Sequence, residues 1–254
     1  MKLARRTAVL VFLGVALLCL AACSAADPQN RKPPADADIL LFVGSGTSPG
    51  DVAAVERVLR DNRFSYSTAN SRQLNAMNQS QLQAYRLLIV PGGNFEVIGK
   101  TLTPDASANI RGAVRGGVNY LGICAGAFFA GNSPYNGLDL TGGVRFDFYA
   151  LEAQGIRKSA VPIAIAGMPT SDHYWEDGPQ LSGWGDIVAK YPDGSPAIVE
   201  GSAGAGWVIL TGTHPEAPES WRRGMTFATP ASETNAYAAV LVDAALNGTR
   251  LPHY

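Results

Sequence analysis

Residues 87–126, "LLIVPGGNFEVIGKTLTPDASANIRGAVRGGVNYLGICAG", carry the reading that decides the fold. Apolar residues 87–90 run into Gly92 and Gly93, and residues 104–117 have helical spacing that a glycine pair stops. Residues 118–124 then resume an apolar run. A strand, a helix and a further strand in this order pair most readily in parallel, with the helix crossing one face of the sheet.

The same alternation extends outward. Residues 38–44, "DILLFVG", predict a buried strand. Residues 49–62 place Val52, Val55, Val58 and Leu59 on one helical face. Residues 64–69 predict a second strand, and "NQSQLQAYR" a short helix. Downstream, "GWVILTG" (206–212) resumes the strand theme, and "ASETNAYAAVLVDAALNG" predicts a closing helix capped by Gly248. Between residues 131 and 200 the pattern shifts to short extended pieces, turn signals at Asn136-Gly137 and Asp193-Gly194, and scattered aromatics, which predicts an antiparallel insertion. The expected class is α/β, a flavodoxin-like three-layer sandwich with a mostly parallel sheet.

The N-terminus reads as an address. Lys2, Arg5 and Arg6 precede an apolar stretch, residues 8–20, that is too short for a membrane span of about 20 residues but suits a signal core. It ends in Leu20-Ala21-Ala22-Cys23, which resembles a bacterial lipobox. The expected organisation is a signal peptide over 1–22, a proline-rich tether over 23–37, a domain over 38–249 and a tail over 250–254. Cys23 is then the lipidation site, and the location is the bacterial cell envelope, lipid-anchored and extracytoplasmic. Acidic and basic residues nearly cancel, 21 against 20, with no basic patch, which argues against a nucleic-acid partner. Oligomeric state is not written in the sequence.

Once the signal and Cys23 are set aside, Cys124 is the remaining cysteine of three. Gly122-Ile-Cys-Ala-Gly126 has the spacing of a nucleophile elbow, in which glycines permit a sharp strand-to-helix turn. A structural reading is equally open, in which Gly122 and Gly126 only allow a helix to pack closely on the sheet. His214 follows a predicted strand with Glu216 two residues on, where the carboxylate would orient the imidazole. Gly92 and Gly93 end another strand, so that Gly93 and Ala125 would supply backbone N–H groups to an oxyanion. The cluster Asp172, His173, Glu176 and Asp177 lacks paired metal-ligand spacing and predicts a pocket rim; neither a metal nor a cofactor is expected.

The motifs "PGG", "GICAG" and "HPE", in this order, resemble the class I glutamine amidotransferase-like superfamily. The stretches "GICAGAFFAG" and "DGSPAIVEGSAGAGWVILTGTHPE" are similar to the N-terminal domain of some biotin–protein ligases and its free-standing bacterial relatives. The resemblance covers roughly residues 38–248. It implies Cys124 as nucleophile, His214 as base, Glu216 as orienter, and Gly93 with Ala125 at the oxyanion hole. It departs at Phe128, where glutaminases of this type carry glutamine, and neither a synthetase nor a ligase domain is evident. The expectation is therefore a cysteine-dependent amidohydrolase acting on a small amide or peptide. The alternative is a catalytically silent ligand-binding or scaffold domain on the same fold.

Overall fold

The computed structural model describes residues 37–254. The predicted signal peptide, Cys23 and all of the tether before residue 37 lie outside the described residues. Among the described residues, no helix is long and apolar enough to cross a membrane.

The first half of the chain alternates as the apolar runs dictate: β1 (Ile39–Phe42), α1 (Pro49–Asp61), β2 (Tyr66–Ala69), α2 (Ser71–Ala76), α3 (Gln79–Leu82), β3 (Leu87–Val90), α4 (Phe95–Thr101), α5 (Pro104–Arg115), β4 (Asn119–Ile123) and α6 (Ala125–Ala130). Shorter strands follow: β5 (Asp147–Phe148), β6 (Lys158–Ile165), β7 (Ser171–Glu176), β8 (Pro179–Gln180), β9 (Asp186–Lys190) and β10 (Pro196–Ala203). β11 (Gly206–Thr211) and α7 (Ala231–Asn247) complete the domain.

Nine strands form one sheet in the order β2-β1-β3-β4-β11-β10-β9-β6-β7. β2, β1, β3, β4 and β11 are parallel; β10, β9, β6 and β7 each pair antiparallel to their neighbour. The predicted antiparallel insertion is therefore an extension of the main sheet through β11 and β10, with β5 and β8 pairing apart from it.

Continuous apolar strands make sense only when both faces are covered. Ile39 and Leu41 point to one face with Val55, Val58 and Leu59 of α1 and Leu241 and Ala245 of α7. Leu40 and Phe42 point to the other, with Ile110, Ala113 and Val114 of α5 and the small residues of α6. The result is a three-layer α/β sandwich.

Caps account for the helix starts. Thr103 accepts from the Ala106 N–H ahead of Pro104, and Asn70 and Asn78 each form a reciprocal capping box. The helices α2 and α4 escape a periodicity reading because each is seven residues or shorter and is defined by its asparagine cap. At the other end of the chain, the expected tail is held: the Leu251 N–H donates to Glu200 Oε1 at 2.9 Å and the Tyr254 N–H to the Ile187 carbonyl at 2.9 Å.

The helix α6 lies unusually close to the sheet. A Cβ on Gly126 would stand 1.9 Å from the Val90 carbonyl oxygen, and one on Gly122 would stand 2.6 Å from that of Gly126. The structural role weighed for these two glycines is real. Gly126→Ala should therefore destabilise the domain by about 2–3 kcal/mol, as overpacking against backbone does. Urea unfolding of the variant against the parent checks this; an unchanged midpoint would contradict the close packing.

Candidate functional site

The strands β1, β3, β4 and β11 are neighbours in the sheet and parallel, so their carboxyl ends meet along one edge. From β1 the chain leaves toward β2, while β3 continues on the other side. Such a switch point leaves a crevice where open α/β sheets hold ligands. Three polar residues converge there.

Asp51 arrives from the first turn of α1, behind Ser48, whose hydroxyl caps the Asp51 N–H at 3.5 Å. An acid at this place is favoured by the unpaired N–H groups of the helix start. His214 and Glu216 arrive from the segment after β11, which is pinned on several sides. The His214 N–H donates to the Tyr174 carbonyl of β7 at 2.8 Å. Asn235 Nδ2 donates to the Pro215 and Ala217 carbonyls at 2.9 and 3.1 Å, and Arg57 reaches the Glu216 carbonyl at 3.3 Å.

Both carboxylates address the same imidazole nitrogen. Glu216 Oε1 lies 2.9 Å from His214 Nδ1, and Asp51 Oδ1 lies 3.1 Å from it. The side chains are 1% (Glu216), 10% (Asp51) and 4% (His214) exposed, so the group is shut off from bulk water. Gly92 makes room for it: a Cβ there would fall 2.1 Å from Asp51 Oδ1 and 2.7 Å from His214 Cε1. The rings of Tyr174 and Trp221 meet the imidazole edge-on at 5.9 and 5.8 Å between centroids.

Electrostatics follow from this burial. Desolvation pushes the imidazole down, but Glu216, the nearby Cys124 and Asp51 outweigh it and hold its pKa well above the usual histidine value. Desolvation pushes the Asp51 carboxyl up, and the attraction and polar contact of His214 bring it below the ordinary range. Glu216 stays raised, because complete burial and repulsion from Asp51 exceed what His214 returns.

The cysteine-centred reading is corrected here. The cluster is Asp51–His214–Glu216, not a Cys124–His214–Glu216 triad. Cys124 does occupy an elbow, at the turn from β4 to α6 with φ of 48°, a conformation that costs a non-glycine residue about 1–3 kcal/mol. Its thiol, however, is hydrogen-bonded to the Glu176 carbonyl at 3.5 Å. The ring that was to take its proton is engaged at Nδ1 by two carboxylates, Glu216 and Asp51, rather than by Glu216 alone. A cysteine-dependent amidohydrolase is thereby set aside. Gly93 (φ 141°) and Ala125 stand just past the ends of β3 and β4.

Asp51 is the residue that sequence reasoning missed. Its position two residues after a helix-starting proline already has a sufficient explanation in helix electrostatics, and only the sheet order brings it to His214. The His173 region does border the site. Tyr174 bridges to His214, and its hydroxyl donates to Glu176 Oε2 at 2.6 Å. His173 itself is fully buried, with Nδ1 2.9 Å from Thr213 Oγ1. Phe128 stacks on Phe95 at 4.6 Å and meets Phe148 at 4.8 Å, making an aromatic wall.

Residues 37–150 match the family described as "Biotin-protein ligase, N terminal". No curated protein matches significantly. Among solved structures, a glutamine amidotransferase is similar at TM-score 0.55 and 18% identity, covering 78% of this chain and 99% of that one. A putative GMP synthase protein from Thermoplasma acidophilum is similar at TM-score 0.52 and 14% identity, over 81% of this chain and 93% of that one. A β-galactosidase from Bacillus circulans sp. alkalophilus is similar at 0.52 and 12% identity, over 85% of this chain but 32% of its own. The fold is that of the class I glutamine amidotransferase-like superfamily.

Burial, with the Arg222 charge second, pushes His173 down to about 3 from the usual 6.5. Its folded pKa lies below its unfolded one, so the unfolded chain takes up a proton that the folded chain refuses. Stability should fall as pH drops from about 6.5 toward 3, by up to about 1.4 kcal/mol per unit from this group. Chemical denaturation across that range should show a flatter dependence in His173→Gln; an identical slope would contradict the assignment.

Proposed function

We propose that this chain, a class I glutamine amidotransferase-like fold, is a ligand-binding domain that holds a small molecule at the carboxyl edge of its sheet without thiol chemistry. One observation carries the reading: two buried carboxylates share the imidazole nitrogen of His214, while the Cys124 thiol turns to a backbone carbonyl. That arrangement holds the imidazole at Nδ1 between two carboxylates and gives the thiol a backbone partner instead of the ring.

The kind of ligand is suggested by the wall of Phe95, Phe128 and Phe148. Phe148 is 40% exposed, a large apolar surface left open to solvent. Ligand sites commonly combine such walls with a few convergent polar groups. A small amide or peptide with a planar or apolar part suits this chemistry, held rather than cleaved. The export-type N-terminus supports a place in the bacterial cell envelope, outside the cytoplasm.

The test uses the full-length chain and its Cys124→Ala variant with a panel of small amides, glutamine and short peptides carrying aromatic side chains. Thermal-shift titration should find ligands that raise the melting temperature equally in both proteins, with roughly tenfold weaker binding in Phe148→Ala. Ammonia release should stay at background for both. Release by the parent that vanishes in Cys124→Ala would contradict the proposal.

A further inference from the structure

We propose that Asp51, His214 and Glu216 form a divalent-metal site, with zinc as the ion that the donor set suits. The inference rests on reading this cluster as binding machinery rather than as a catalytic base. One imidazole nitrogen and two carboxylate oxygens form a mixed set of the kind zinc accepts, whereas magnesium and calcium favour all-oxygen cages.

Geometry comes first. Zinc bonds of about 2.0–2.2 Å in a tetrahedral arrangement place neighbouring donor atoms roughly 3.3 Å apart. Here the Nδ1–oxygen separations are 2.9 and 3.1 Å, and one donor atom from each residue lies within 4.8 Å of the others. The two Nδ1–oxygen pairs need open by only a few tenths of an ångström to reach that spacing.

The second observation is independent of the clustering. Asp51 Oδ1, although close to the imidazole, and Glu216 Oε2 are buried with no well-aligned hydrogen-bond partner; Asp51 is 7% and Glu216 1% exposed. Buried carboxylate oxygens are costly to leave unpaired. A single proton on His214 Nδ1 satisfies only part of this demand, since two carboxylate oxygens face one ring nitrogen. A dication in its place neutralises both, and the displaced Nδ1 proton leaves to solvent.

The surroundings support the donors as an outer shell would. Ser48 holds the Asp51 backbone, Arg57 and Asn235 hold the backbone around Glu216, and the Tyr174 carbonyl fixes His214. Gly92, which leaves the space a Cβ would fill, keeps Asp51 and His214 together. Three protein ligands leave a fourth position for water or for a donor atom of the bound molecule.

The test strips the full-length chain with a chelator and titrates zinc chloride against a chromogenic competitor. One zinc per chain with micromolar or tighter affinity is the expected result, weakened about 100-fold or more in Asp51→Asn and in Glu216→Gln. Melting curves without zinc establish which variants fold. X-ray absorption on the zinc-loaded parent needs no variant: it should show nitrogen and oxygen at about 2.0–2.1 Å and no sulfur near 2.3 Å. Failure to bind zinc at millimolar concentration, a sulfur shell, or undiminished affinity in a folded Asp51→Asn would each overturn the site. Loss of the metal site alone, with amide ligands still bound equally by the parent and Cys124→Ala, leaves the ligand-binding reading standing. Thiol-dependent ammonia release would remove that reading whatever zinc does.

Discussion

Two carboxylates and one imidazole, packed where water barely reaches, set the terms for everything around them. Removing one partner from such a group leaves an uncompensated buried charge and typically costs about 3–5 kcal/mol. The chain invests several contacts in preventing that loss. A serine caps the helix that delivers Asp51, a glycine clears the space beside it, and an asparagine on α7 clamps the carbonyls on both sides of Glu216. These contacts come from elements distant in sequence, so the cluster exists only once the sheet has closed around its switch point.

The same constraint explains why an elbow persists without the chemistry usually associated with it. Cys124 keeps the strained backbone of a strand-to-helix turn, and Gly122 and Gly126 let α6 press against β3 and β4. Those features serve packing. The thiol meets the Glu176 carbonyl, while the imidazole is held at Nδ1 by two carboxylates. The ring of Phe128, just beyond the elbow, packs between Phe95 and Phe148.

Much of the fold was legible because its signals are local. The runs at 39–42, 87–90 and 119–123 are largely apolar, as strands covered on both faces must be, and the long helices α1, α5 and α7 carry periodicity over three or more turns. His214 and Glu216 were also legible, since an imidazole and a carboxylate two residues apart after a strand can meet without knowledge of the rest. Asp51 was not, because it lies 163 positions from His214 in the chain and its local role is ordinary. The cysteine misled for the opposite reason: its local setting was informative about backbone shape and silent about what its sulfur would face. The junction of β10 with β11, which makes the insertion part of the main sheet, rests on long-range pairing that no short window contains.

The central claim is an arrangement of atoms around one nitrogen, and a high-resolution crystal structure of the metal-free chain measures it directly. The account predicts both the Asp51 and Glu216 carboxylates within hydrogen-bonding distance of His214 Nδ1 and the Cys124 sulfur directed at the Glu176 carbonyl. Asp51 swung away to solvent, with the sulfur in hydrogen-bond contact with the ring, would contradict it.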